Sequence, residues 1–326
     1  MSGILNIDML SPEMATLLAR VAAESGPQPD PTMLPPAEGR ALAAKTNRRW
    51  NVDLPAMAKI AEIYVHPDCE LGSARVRVKV LLPRGAEKGA VLFVHGGGFA
   101  FCSPETHERC ARVLALECGM PVLVPDYRLA PEHPYPAGLL DVIAVIRAAL
   151  VGLPSFGATT GPLILAGDSA GANLVLAAML HEQLVGHPSI TGALLFYGTY
   201  ANNFHTKSYR EFEDGPGLTT AKMRRYWQWY AGDRDLSTDI LACPLQAADE
   251  ALAALPPLHL MAAGVDPLLS DSVMLHERLK KLGRNEALSI VPGVTHGFLQ
   301  NTLDLVAARE ALAAAGSGAR RMAGAT

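Results

Sequence analysis

Over its first fifty residues the chain shows helical spacing of apolar positions and no strand-like alternation. Ser11-Pro12-Glu13 reads as a helix start, with a serine cap and proline in the first turn, leading to about Ala23. Pro27, Pro29, Pro31, Pro35 and Pro36 force a loop, and a second helical piece is expected from Ala37 to about Thr46. The pattern then changes. Between Ile60 and Leu82, the segment Ala74 to Val80 alternates with period two, as a strand with one solvated face would. Ala90 to Val94 is wholly apolar, as are Pro121 to Val124 and Pro162 to Ala166, the mark of strands buried on both faces, and Gly192 to Tyr197 reads as a further strand. Helical segments separate them: Thr106 to Glu117, Leu139 to Leu150 and Asn173 to Leu180. From Gly198 to Pro257 the alternation of strand and helix breaks down, and this stretch is expected to be a helical insertion. Order returns with strands at Leu258 to Ala262 and Ala287 to Val291, and helices from Ser272 to Leu282 and from Leu303 to about Ala314.

Strands alternating with helices at this spacing predict an α/β fold with a mostly parallel central sheet flanked by helices on both faces. The division expected is residues 1–50 as N-terminal cap helices and 51–197 as the first part of the catalytic domain. Residues 198–257 form a helical cap insertion and return, 258–315 the second part of the catalytic domain, and 316–326 a frayed tail. Chemistry in such sheets sits at the carboxyl ends of strands. The loops to watch begin at His95, Gly167, Ala263 and Pro292.

Composition narrows the partners. A net charge of −4 gives no electrostatic reason to expect nucleic acid or an anionic membrane, which leaves a small molecule as the expected partner. Asp8, Pro12 and Glu13 interrupt any apolar leader, and no run reaches the eighteen or so uninterrupted apolar residues of a membrane span, so a cytoplasmic protein is expected. Five cysteines without a Cys-x-x-Cys suggest neither a disulfide framework nor a zinc site. The Gly96-Gly97-Gly98 run lacks the endings of a phosphate loop, and no cofactor is expected.

The chemistry centres on Gly167-Asp168-Ser169-Ala170-Gly171, which lies between an apolar strand and an apolar helix. Glycines two residues before and after the serine allow the sharp turn that lifts its hydroxyl out of the backbone, the geometry of a nucleophile elbow. A serine hydroxyl needs a base to take its proton and a third group to orient that base. Of ten histidines only His296 directly follows a late strand, with Gly293 and Gly297 near it; His66, His107, His133, His181, His187, His205 and His276 read as surface or packed residues. Asp266 is the expected acid, between serine and histidine in chain order, whereas Asp271 reads as a helix cap and Asp168 lies too near the serine to reach behind the histidine. Gly96 and Gly97, with Ala170, are the expected N–H donors of an oxyanion hole.

His95-Gly96-Gly97-Gly98, Tyr127-Arg128-Leu129-Ala130-Pro131-Glu132, Gly167-Asp168-Ser169-Ala170-Gly171, Asp266-Pro267-Leu268 and His296-Gly297-Phe298 together resemble the bacterial hormone-sensitive-lipase family of esterases. The resemblance spans roughly residues 90 to 300. It implies an α/β-hydrolase fold with a lid built from the N-terminal helices and the insertion, a homodimer, and cofactor-free hydrolysis of carboxylic esters. By position, Ser169 is then nucleophile, His296 general base and afterwards acid, and Asp266 the orienting acid. Two alternatives share the fold: an amidase or peptidase on the same triad, and a non-catalytic ligand-binding member such as the plant gibberellin receptors, which lack the histidine present here. Phe204, Tyr209, Phe212, Tyr226, Trp227, Trp229 and Tyr230 concentrate aromatic rings in the insertion and predict a narrow pocket for short acyl chains.

Overall fold

The computed structural model describes residues 9–187 and 189–324; the reading of the extreme N-terminus made from Asp8 lies outside them. Strands β1 (Lys59–Val65), β2 (Val76–Leu82), β3 (Ala90–Val94), β4 (Val122–Asp126), β5 (Leu163–Asp168), β6 (Gly192–Phe196), β7 (Leu258–Val265) and β8 (Leu288–Thr295) form one sheet. Their order is β1-β2-β4-β3-β5-β6-β7-β8. β2 runs antiparallel to β1 and β4, and the pairs from β4 through β8 are parallel, as the apolar runs predict.

The helices are α1 (Pro12–Ser25), α2 (Pro36–Asn47), α3 (Glu108–Cys118), α4 (Ala137–Gly152), α5 (Ala170–Leu184), α6 (Lys207–Glu211), α7 (Thr220–Ala231), α8 (Asp249–Ala253), α9 (Leu269–Lys281) and α10 (Val306–Met322). α4, α5 and α9 bury Leu139, Ile143, Leu174, Leu176 and Leu275 on one face of the sheet. α3 and α10 cover the other, burying Leu114 and Leu312 against Phe93 and Phe196. The segment Ala137–Phe156 is long and apolar enough to cross a membrane, with mean hydropathy 1.9, but here its Leu139, Val142, Val145 and Ile146 are core residues.

Three expectations change. β2 has no solvated face, because Lys79 lies under α3 with its Nζ 2.8 Å from Glu108 and 2.9 Å from Glu105. A charged residue in the alternation therefore marks an ion pair over the sheet. Residues 316–322 of the expected tail are helix: α10 continues to Met322, and Gly316, Gly318 and Ala319 are buried. A Cβ on Gly316 would stand 2.5 Å from the Glu117 backbone, so the small residues that read as a loose end are what lets α10 lie close on α3. α1 is not part of the lid. Its cap forms as expected, Met14 N–H donating to Ser11 Oγ at 3.2 Å, but Met14 and Leu17 pack with Val294 and Phe298 of the catalytic body.

Candidate active site

β5 ends at Asp168 and α5 begins at Ala170, so Ser169 carries the whole reversal, with φ 56° and ψ −121°. Such a left-handed conformation is disfavoured for a residue with a Cβ and persists only where its surroundings impose it. They do so through close packing. A Cβ on Gly167 would meet the Gly171 carbonyl carbon at 2.5 Å, and one on Gly171 would meet the Val94 carbonyl oxygen at 2.0 Å. The elbow predicted from the two glycines is present, and each glycine has its own steric reason.

His296, just past the end of β8, lies between the other two residues. Its Nε2 is 2.8 Å from Ser169 Oγ and its Nδ1 is 2.7 Å from Asp266 Oδ2. Asp266 is wholly buried, and its other oxygen accepts the Leu268 N–H at 2.9 Å. With Nδ1 carrying the proton toward the carboxylate, Nε2 presents a lone pair to the serine hydroxyl. The structure thus brings Ser169, His296 and Asp266 together. Asp271 is no helix cap. It reaches back from α9 to accept the N–H groups of Tyr200 and Ala201 at 2.7 and 3.2 Å, and burial pushes its carboxyl up to about 7.

The glycine loop after β3 departs from expectation at one residue. The Gly96 N–H donates to Asp168 Oδ1 at 2.8 Å, so it is committed to that carboxylate and does not face the pocket. Gly97 and Gly98 line the pocket beside Ser169 and His296, and Ala170, as the first residue of α5, has an N–H with no helical acceptor. The Gly96 carbonyl lies 2.8 Å from His95 Nδ1. Because a trans peptide points its C=O and N–H in opposite directions, this contact turns the Gly97 N–H away from His95. Burial pushes the His95 imidazole down to about 3, so it remains neutral.

The Tyr127 to Glu132 segment braces this loop. Tyr127 donates its hydroxyl to the His95 carbonyl at 2.8 Å, and the Ala130 N–H bonds the Phe99 carbonyl at 2.9 Å. Arg128 pairs with the buried Asp141. Arg40 of α2 donates to the Ala100 and Ala130 carbonyls at 2.8 and 2.9 Å and pairs with Glu132, which ties the N-terminal cap to the loop.

A cavity of about 160 Å³ opens over Ser169, lined among others by Asn47, Gly97, Gly98, Leu218, Met223 and Tyr226. Of the seven insertion aromatics only Tyr226 faces it. Tyr209, Phe212, Trp227 and Tyr230 are buried within the cap, Tyr230 stacked on Phe99 at 3.7 Å between centroids. Cys102 also lines the cavity; burial pushes its thiol up to about 12, which leaves it a neutral wall group. Among the described residues no cluster of three or more His, Cys, Asp or Glu has the arrangement of a metal site.

Sequence reasoning missed His107. It lies beside Asp168 with its Nε2 3.4 Å from Oδ1 and only 3% exposed. The chain carried a usable signal, since His107 stands at the start of a helix that follows the glycine loop.

Comparison with known proteins gives the family. A family profile described as alpha/beta hydrolase fold matches residues 91–300. Carboxylesterase NlhH of Mycobacterium tuberculosis is 34% identical over 224 residues, spanning 68% of this chain and 70% of that protein. Esterase LipI of the same organism is 33% identical over 260 residues, spanning 80% of this chain and 77% of that protein. Among solved structures, the ester-hydrolase EH1AB1 from the metagenome of Lake Arreo, complexed with a derivative of bipyridine phosphonate, superposes with a TM-score of 0.89 at 31% identity, covering 97% of this chain and 100% of that one. A hyperthermophilic esterase from Pyrobaculum calidifontis superposes with a TM-score of 0.86 at 28% identity, covering 96% of this chain and 99% of that one. The chain belongs to the α/β-hydrolase family, among its hormone-sensitive-lipase-type carboxylesterases, and is an ester-hydrolysing enzyme.

Proposed function

We propose that this esterase cleaves short- to medium-chain carboxylic esters through an acyl-enzyme on Ser169. The observation that carries the reading is the His296 imidazole, 2.8 Å from Ser169 Oγ on one side and 2.7 Å from Asp266 on the other. In the first step His296 Nε2 takes the hydroxyl proton as Ser169 Oγ bonds to the ester carbonyl carbon, and the carbonyl oxygen becomes an oxyanion. The N–H groups of Gly97, Gly98 and Ala170 are the donors for that oxyanion, in place of the Gly96, Gly97 and Ala170 set read from sequence. Each such donor is worth roughly 3–4 kcal/mol in the transition state. The protonated imidazole, stabilised by Asp266, then gives its proton to the leaving alkoxide and the C–O bond breaks. Water repeats the sequence on the acyl-enzyme, releasing the carboxylic acid and restoring Ser169.

Substrate size follows from the cavity. At about 160 Å³, closed by Leu218, Met223 and Tyr226, it is well below the roughly 300–1,000 Å³ of pockets that take drug-sized ligands. Matched p-nitrophenyl esters and p-nitroanilides of two to twelve carbons test both parts. Ester turnover greatest below about eight carbons supports the reading, whereas comparable anilide turnover would make the enzyme an amidase.

The homodimer implied by the family resemblance is also a proposal, with β8 as the contact. β8 is the last strand of the sheet and leaves Ile290 46% exposed. Light scattering that gives the 34.6 kDa monomer at micromolar concentration would remove it.

A further inference from the structure

The loop that holds the proposed oxyanion donors has positive φ at four residues, two of which carry side chains. Gly97, Gly98, Phe99 and Cys102 all have positive φ, at 115°, 59°, 62° and 73°. Phe99 and Cys102 carry side chains in that region, so the loop keeps its shape only if its neighbours fasten it. At its start the loop is fastened by the Tyr127 hydroxyl on the His95 carbonyl and by the Gly96 N–H, which donates to Asp168 Oδ1. A Cβ on Gly96 would come within 2.7 Å of Asp168 Oδ2, so the peptide and the carboxylate are in direct contact. Whatever orients Asp168 therefore orients Gly96.

That group is His107. Thr106 has one hydroxyl proton, and it points to the Ser103 carbonyl at 2.9 Å, while the Ser103 N–H donates to the same hydroxyl oxygen at 3.0 Å. Thr106 Oγ1 also lies 3.0 Å from His107 Nδ1, which engages that ring nitrogen on the side away from Asp168. Nε2 faces Asp168 Oδ1 at 3.4 Å, where an N–H attracts the carboxylate. The neighbouring His95 ring, 5.5 Å away between centroids, uses its Nδ1 on Gly96 and leaves its Nε2 without a partner, so it does not serve Asp168. Asp168 and His107 are 4% and 3% exposed, and both border the cavity over Ser169.

We propose that His107 is a positioning residue for ester hydrolysis: through Nε2–H it orients the Asp168 carboxylate, which holds the Gly96 peptide and so aims the Gly97 and Gly98 N–H groups at the oxyanion. This rests on the oxyanion assignment proposed above. In this role His107 acts through Asp168 from the border of the cavity, and its loss is felt where charge develops on the carbonyl oxygen.

His107→Leu and His107→Gln, titrated with an organophosphate to count functional Ser169, test it. Leucine removes the donor, whereas glutamine keeps an N–H at about the position of Nε2. Per titrated site, His107→Leu is expected to lower kcat/KM roughly 10- to 100-fold, the size of effect a displaced catalytic group gives. The Ki of a trifluoromethyl ketone, which forms the tetrahedral oxyanion on the serine, should rise by the same factor, and that of the matching methyl ketone should not move. His107→Gln should recover most of the loss. Should His107→Leu not fold, His107→Phe, which keeps a ring and no donor, takes its place with the same paired change expected. A normal kcat/KM per titrated site, or a fall in it with the trifluoromethyl ketone Ki unchanged, would overturn the role of His107. Failure of Ser169 to titrate in the unmodified enzyme would instead overturn the triad reading on which it rests.

Discussion

The ring of Tyr226 lies directly on Gly98: a Cβ on the glycine would stand 2.3 Å from the tyrosine Cγ. One contact thus joins the cap helix α7 to the loop that faces Ser169, and it fixes both the wall of the cavity and the need for glycine. Gly98→Ala is expected to lower kcat/KM by at least about 100-fold, since the new methyl must displace either the ring or the loop at φ 59°. Tyr226→Ala should move the acyl optimum to longer chains, each newly buried methylene adding about 0.8 kcal/mol. A p-nitrophenyl ester series compares the two enzymes. An unchanged chain-length profile in Tyr226→Ala would mean that another group ends the pocket.

The two buried acids near β7 separate cleanly in their expected effects. Asp266 contacts His296, whereas Asp271 contacts only the Tyr200 and Ala201 backbone. Asp266→Asn should cost on the order of 10⁴ in kcat, as removal of the orienting charge does in other serine hydrolases. Asp271→Asn should cost less than about tenfold, since no step passes through it. Reversal of that order would assign the triad acid to Asp271.

Asp271 should be visible instead in stability. Burial pushes its carboxyl up to about 7, above the ordinary aspartate value near 3.9 in an unfolded chain. The folded state therefore holds this proton more tightly, and unfolding releases it. Its contribution is fully favourable below about pH 4, falls as pH rises toward about 7, and is level above that. Thermal melts from pH 5 to 8 should show a decline in the Tm of the unmodified protein that Asp271→Asn lacks. Parallel pH profiles in the two proteins would contradict this.

Arg128 offers a test of the scaffold. Its guanidinium meets Asp141, which is 1% exposed and also accepts the Ala74 and Arg128 N–H groups. Arg128→Ala leaves a buried carboxylate without its cation, at an expected cost of about 3–5 kcal/mol in denaturant unfolding. A loss below about 1 kcal/mol would show that the backbone donors alone suffice.

The parts legible from sequence were those where one residue type has one steric or chemical reason to be present. Gly167 and Gly171 mark the elbow because any Cβ there meets backbone, and His296 and Asp266 follow strands that lead to one edge of the sheet. What was not legible depended on which neighbour arrives from elsewhere in the chain. Gly96 and Gly97 look alike in a glycine run until Asp168 claims the first N–H. Asp271 stands where a helix cap would, and only the course of the chain after β6 turns it toward Tyr200. The insertion aromatics read as pocket walls, but Trp227 and Tyr230 pack on Phe99 and only Tyr226 of the seven borders the cavity.

The central claim is that Ser169 becomes acylated. Mass spectrometry after treatment with an organophosphate should place a single adduct on the peptide containing Ser169, and Ser169→Ala should retain a rate roughly 10⁴–10⁶ below the unmodified enzyme. An adduct on another residue, or substantial esterase activity in Ser169→Ala, would contradict the account.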